Sequence, residues 1–176
     1  MIGRNIGRFL LQGEDSLMID AAQCATVRTE NTLLHALLLL SSVGFTSVPV
    51  LDESSRVAGI ITMPSIINGL LDNEDYNWDL LPVRKVKEVM TNNVPRVFRD
   101  SPFEDVLHVL VNSNYLCVTE RDNTFLGIIA RKQLLKRVNR LAHEFELFYE
   151  VKERTKDKVK EAPSHDFAED DIQFKL

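Results

Sequence analysis

The sequence predicts an α/β (α+β) fold: two tandem β-α-β-β-α repeats packed with pseudo-two-fold symmetry. Three observations predict it. The first is an internal repeat. Asn31 aligns with Ser101, Leu37 with Leu107, Leu40 with Leu110, Gly44 with Asn114, Phe45 with Tyr115, Val48 with Val118 and Asp52 with Asp122, each pair 70 positions apart. On this alignment the second hairpin is two residues shorter, which sets Gly59 against Gly127 and Ile61 against Ile129. The second is the change of hydrophobic pattern within each copy, from helical over Leu33–Leu40 to strand-like over Thr46–Leu51 and Arg56–Thr62. The third is size. One copy is too small for a good core, so two must bury their sheets against each other. Such packing leaves clefts between the repeats, and small ligands sit in clefts of this kind.

Gly3 to Gly13 reads as a short helix with Ile6, Phe9 and Leu10 on one face and Gly13 as its stop. Leu17 to Ile19 reads as one more turn packed on the domain, and Ala25–Thr29 as a short β segment. Asn31 is a good N-cap for the next helix, which ends at Gly44. Strand Thr46–Leu51, a polar turn at Asp52–Ser55 and strand Arg56–Thr62 form a hairpin, and Pro64 opens a helix through Leu71. The charged stretch Asp72–Leu81 reads as a linker folded back on the surface. The second copy follows: a helical turn at Val86–Met90, a β segment at Pro95–Arg99 and a capping box at Ser101–Glu104 opening a helix to Asn114. Strands Tyr115–Glu120 and Phe125–Ala130 come next, and Arg131 opens the last helix. The chain thus divides into an N-terminal helix at 1–16, a first repeat at 17–72, a linker at 73–84, a second repeat at 85–140, and a C-terminal helix with a charged, flexible tail at 141–176.

Composition narrows the function. The 176 residues carry a net charge of -5, so no overall basic field attracts DNA. No apolar run approaches the ~18–20 residues of a membrane span. Two cysteines, Cys24 and Cys117, and no signal peptide fit a reducing cytoplasm. His35, His108, His143 and His165 show no metal-ligand spacing, and neither a nucleophile elbow nor a P-loop is present. No acid/base or nucleophile constellation can be assembled, so no catalytic residue, metal or cofactor is expected. The informative stretch is Gly44 to Asp52. Proline cannot donate to a ladder, so Pro49 marks a place where backbone is left open beside Thr46 and Ser47.

Gly44-Phe45-Thr46-Ser47-Val48-Pro49-Val50-Leu51-Asp52, followed by Gly59-Ile60-Ile61-Thr62, resembles the signature of the CBS-domain pair, or Bateman module. Asn114–Asp122 and Gly127–Ala130 are a more degenerate second copy. The resemblance covers residues from about 14 to 140. Together with His35-Ala36-Leu37-Leu38, Glu88-Val89-Met90, Val94-Pro95-Arg96 and Arg131-Lys132, it extends to the stand-alone cyclic-di-AMP-binding CBS proteins of Firmicutes, the DarB/CbpB group. It implies tandem CBS domains, a homodimer, an adenine (di)nucleotide ligand, and partners such as the stringent-response synthetase/hydrolase and pyruvate carboxylase.

In a CBS pair the Ala25/Val27 strand and the Thr46-Ser47-Val48 edge face one cleft, where apolar side chains and backbone groups would hold an adenine. Arg131 and Lys132 begin a helix, where free N–H groups and the dipole favour an anion, and Arg131 can hold a phosphate bidentately. Thr62 is the corresponding hydroxyl of the first repeat, and Arg28 a further nearby cation. Relatives commonly carry lysine at the position of Gln23, which can hydrogen-bond but adds no charge. The aspartate that holds ribose in AMP- or ATP-binding CBS modules is Ser65 in one copy and Gln133 in the other. A cyclic dinucleotide, with its 3′ oxygens tied into phosphodiesters, needs that aspartate less. The expected site is therefore Gln23, Ala25, Val27, Thr46, Ser47, Val48, Arg131 and Lys132. The alternatives are a sensor of AMP, ADP, ATP or S-adenosyl-methionine on the same fold, and a structural dimer with empty clefts.

Overall fold

The computed structural model of the chain describes residues 4–11, 16–72, 75–148 and 150. The charged tail lies outside these. Each repeat contributes one sheet. The first sheet has the order β2 (Val27–Arg28), β3 (Ser47–Leu51), β4 (Val57–Thr62), with β2 parallel and β4 antiparallel to β3. The second has the order β1 (Ile19–Asp20), β9 (Phe125–Ala130), β8 (Tyr115–Thr119), β7 (Arg96–Phe98). Helices α2 (Leu33–Val43) and α3 (Met63–Asn68) belong to the first repeat, and α4 (Phe103–Asn112) and α5 (Arg131–Phe148) to the second. The N-terminal helix α1 (Arg4–Leu11) packs on α5 through an edge-on pair of Phe9 and Phe145.

Local chemistry sets the element ends. α2 is capped by Thr32, whose hydroxyl accepts from His35 N, and not by Asn31, whose amide oxygen accepts from Arg28 N at 2.7 Å. Gly44 stops α2 in the left-handed conformation, φ 67°, and sends its N–H back to Leu40 O. α3 has the reciprocal capping box of Thr62 and Ser65. The box expected at Ser101–Glu104 does not form at α4. Ser101 Oγ instead accepts from Phe98 N at 3.0 Å, tying the end of β7. The linker is a small hairpin of β5 (Leu71–Asp72) and β6 (Asp75–Tyr76), then a 3-10 turn at Trp78–Leu80 that plants Leu81 in the first core.

The repeat alignment needs one correction. The hairpins are equal in length, since five residues separate β3 from β4 and β8 from β9. Ser55 (φ 60°) and Asn123 (φ 74°) occupy the same left-handed place in each. The strands therefore correspond at 68 positions, Ser47 with Tyr115 and Pro49 with Cys117, while α2 and α4 start 70 apart. The missing two residues lie between α4 and β8. Side chains alternate with period two along a strand, so a shift of two leaves every face assignment unchanged. The pattern alone cannot place the deletion.

The two modules complete each other. Leu17 to Ile19 is not a further turn on the first repeat. Ile19 and Asp20 form β1, which pairs antiparallel with Ile128 and Gly127 of the second sheet. Reciprocally, Thr91, which leads into the second repeat, bridges to Ile60 of the first sheet through hydrogen bonds of 2.9 and 3.0 Å. The cores follow the exchange: Val86 lies in the first, Leu10 and Leu17 in the second. Between the modules the hairpin tips pair symmetrically. Val57 N donates to Asn123 O and Phe125 N to Ser55 O, both at 3.0 Å, around the Arg56–Thr124 bridge. Leu51, Val57, Cys117 and Phe125 fill the seam beneath, flanked by Cys24 and Tyr115.

The exchange requires glycine at two matched positions. A Cβ on Gly127 would lie 2.2 Å from Ile19 O, and one on Gly59 would lie 2.7 Å from Thr91 O. Gly44 has open space around it and only its φ to satisfy. Gly127→Ala is therefore expected to destabilise the fold by about 2–4 kcal/mol, against about 1 kcal/mol for Gly44→Ala, in urea unfolding. Equal losses would show that the edge exchange does not hold the modules.

Burial also sets the seam thiols. It raises Cys24 from 9.0 to about 11 and Cys117 from 9.0 to about 12, with the neighbouring Cys24 adding to the rise at Cys117. Both stay protonated in the fold, while the unfolded chain ionises them near their ordinary value. Their contribution to stability is thus fully present below about pH 9 and declines as the pH climbs towards 11. Unfolding measured from pH 8 to 11 should fall less steeply for a Cys24→Ala/Cys117→Ala variant than for the natural chain. Parallel slopes would contradict this account.

Candidate functional site

The site begins at Pro49. In the second sheet its counterpart Cys117 donates its N–H to Pro95 O at 2.8 Å, and β7 pairs with β8 from Arg96↔Cys117 onward. In the first sheet β2 pairs only Val27↔Val50 and Arg28↔Leu51. Proline has no N–H to give, so the ladder stops one position early. The carbonyl of Ala25, which matches Pro95, receives no backbone hydrogen bond among the described residues. The local sequence thus leaves one acceptor open where the β2–β3 ladder begins.

The neighbours of this acceptor are small and polar. Gln23 ends a 3-10 turn at Ala21–Gln23 and is exposed, Thr46 is exposed, and Ala25 and Ser47 are half-buried. Phe45 stands 55% exposed beside Thr46, an aromatic face that reading the pattern missed. The signal for it was Gly44, whose left-handed turn ends α2 immediately before Phe45. The side chains of Val27 and Val48 are turned away from the surface. Each is 1% exposed, with its side chain in the first core, so only their backbone is at hand.

The second module arrives through Tyr115. Its hydroxyl is buried beside Ser47, its counterpart across the pseudo-two-fold, without a partner of good hydrogen-bond geometry. Burial pushes this phenol well above its usual range, with the nearby Ser47 opposing. Tyr115 pairs with Ala130 at the end of β9, and Arg131 follows as the first residue of α5. The strand register therefore brings the start of α5 to the end of the seam where Ser47 lies. The Cys24 end of the lead-in segment sits against the backbone of Ile128 in the same strand.

Arg131 is already engaged. Its Nε donates to Leu110 O at 2.8 Å and Ser113 O at 2.9 Å, and its Nη2 to Val111 O at 3.3 Å. These are carbonyls at the end of α4, which a helix leaves without partners of its own. Lys132 is exposed beside it. The two line a cavity of about 580 Å³ with Asn114, Leu135, Lys136 and Asn139. The other cations are placed elsewhere. Arg28 donates to Asp52 O and Ser55 Oγ at the hairpin, Arg96 to Asn123 Oδ1, and Arg99 pairs with Glu120. Thr62 and Ser65 are occupied with each other at the start of α3. Among the described residues no cluster of His, Cys, Asp and Glu is arranged to hold a metal, and no helix is long and apolar enough to cross a membrane.

Chemically the arrangement offers a backbone acceptor, two hydroxyls and an aromatic face on one module, and a cationic helix start on the other. Arg131→Ala is expected to lower stability by about 1–3 kcal/mol, because it strips charged donors from the end of α4. Thermal unfolding checks this, and an unchanged midpoint would show that the cap is idle.

Comparison with known proteins places these features in a lineage. The CBS domain family matches residues 16–72 and 86–140. The chain is 35% identical over 123 residues to the Bacillus subtilis cyclic di-AMP receptor B, covering 70% of this chain and 84% of that protein. It is similar to the crystal structure of CbpB from Streptococcus agalactiae, with a TM-score of 0.78 and 27% identity over 87% of this chain and 96% of that one. It is also similar to Listeria monocytogenes CbpB in complex with c-di-AMP, with a TM-score of 0.67 and 35% identity over 72% of this chain and 94% of that one. Two copies of the same unit, exchanging edges and sharing one seam, are tandem CBS domains, and the chain belongs to the CBS-domain family.

Proposed function

We propose that the chain is a non-enzymatic nucleotide sensor that binds cyclic-di-AMP in the cleft between modules 17–72 and 85–140. The observation that carries this is the free carbonyl of Ala25 left by Pro49. Adenine presents an amino donor at the edge where guanine presents an oxygen acceptor. A lone carbonyl in the slot therefore accepts from adenine and repels guanine. Thr46 and Ser47 supply further donors and acceptors, Gln23 an amide, and the backbone of Val27 and Val48 the floor. Arg131 and Lys132 supply positive charge for the phosphates. The family's ribose-binding aspartate is replaced by Ser65, committed to the α3 cap, and by Gln133, which favours a ligand whose ribose oxygens are esterified. Relatives named as a cyclic di-AMP receptor and as a c-di-AMP complex support the same ligand.

The sensor acts in the cytoplasm as a homodimer. Its occupancy alters a surface read by protein partners, with the stringent-response synthetase/hydrolase and pyruvate carboxylase as the candidates the family suggests. A ligand and a partner that prefer different states weaken each other's binding by the same factor. Calorimetric titration should show cyclic-di-AMP binding at least roughly tenfold more tightly than cyclic-di-GMP, the cost of an acceptor facing an acceptor. Heat with AMP or ATP but none with cyclic-di-AMP would replace this reading with a mononucleotide sensor.

A further inference from the structure

The cavity at the start of α5 is more basic than the proposed site uses. Its lining holds Arg131, Lys132 and Lys136 and no carboxylate. The chain as a whole is acidic, with a net charge of -5. Several basic side chains elsewhere are neutralised: Arg84 pairs with Glu88, Lys87 with Glu30, Arg99 with Glu120 and Arg121 with Asp100. Among the described residues neither Lys132 nor Lys136 has an ion-pair partner. Like charges gathered on one wall repel unless an anion sits between them.

The spacing is as telling as the charge. Lys132 and Lys136 share one face of α5, separated along the axis by ~6 Å, the rise of four helical residues. Asn139 continues that face by one more turn. Asn114, whose carbonyl accepts Arg131 N at 2.8 Å, closes the cavity at the helix start. A cyclic dinucleotide carries two phosphates on opposite sides of one small ring. We infer that Lys136, with the Asn114 and Asn139 amides, forms a second anion subsite that takes one phosphate of the ligand while Arg131 and Lys132 hold the other. Lysine acts there as a compact point charge and the amides donate N–H groups. Leu135, 57% exposed in the same lining, supplies an apolar surface for the ribose carbons. The inference rests on the cyclic-dinucleotide reading above and extends its site by one helical turn.

The test is titration of cyclic-di-AMP into the full-length chain and into Lys136→Gln, Lys136→Arg and Lys87→Gln. Lys87 lies outside the cavity lining, paired with Glu30 of the first module, and matches the change in net charge. Lys136→Gln should weaken binding by roughly tenfold, Lys136→Arg should restore most of it, and Lys87→Gln should leave it unchanged. The slope of log affinity against log salt should become shallower by up to about one for Lys136→Gln, a readout that loss of packing would not move. Unchanged affinity for Lys136→Gln, or equal losses for Lys136→Gln and Lys87→Gln, would overturn the second subsite while leaving the cleft reading intact. No binding by the natural chain would instead remove the cleft reading itself, and the subsite with it.

Discussion

Everything in this molecule depends on two close approaches of backbone to backbone. The strand at Ile19–Asp20 can lie on β9 only because residue 127 has no side chain, and Thr91 can lie on β4 only because residue 59 has none. Each contact carries one module's lead-in segment to the edge of the other's sheet. The hydrophobic residues that travel with these segments finish the opposite core, Leu17 in one direction and Val86 in the other. Neither module is then a complete folding unit.

Symmetry of the backbone does not carry over to the clefts. Pro49 and Cys117 occupy the same strand position, yet one lacks the N–H that the other uses to close on Pro95. At the start of the helix after the hairpin, Arg131 stands where the first repeat has Met63. In the proposed site the open carbonyl of the first module and the cation of the second serve one cleft. Its pseudo-symmetric twin has a closed ladder and a methionine in those places. On the proposed reading, these two differences in an otherwise two-fold frame make the site directional.

Much of this was legible in the sequence, and what was not has a physical cause. The repeat, the two hairpins and the order of helices follow from hydrophobic period and from Gly and Pro punctuation. Pro49 announced an open backbone because the missing donor is a property of the residue itself. The position of the two-residue deletion was hidden, because a strand shifted by two keeps its faces. The destination of Ile19–Asp20 was hidden too, since nothing in a two-residue strand specifies which sheet it will join. Val27 and Val48 were read as slot residues from their place on the chain. Ser47 is half-buried, but one step along the strand turns Val48 to the opposite face, and Val27 enters the first core, against which Ala25 also packs.

The contacts of Arg131 give a reason for an arginine as the anchor of the proposed site. Its guanidinium has five donors in a fixed plane, and the α4 carbonyls engage Nε and Nη2. That engagement fixes the plane before any ligand arrives and leaves Nη1 without an assigned partner among these contacts. Ordering a long side chain on binding costs about 0.5–1.5 kcal/mol, and a side chain ordered by its own fold has already met much of that cost. A lysine at this position has three donors on one rotating head and could not cap the helix in the same plane while facing outward. Lys132 and Lys136 have no such constraint and add charge without direction. In the proposed site, orientation comes from the residue that the fold holds, and attraction from those that it leaves free.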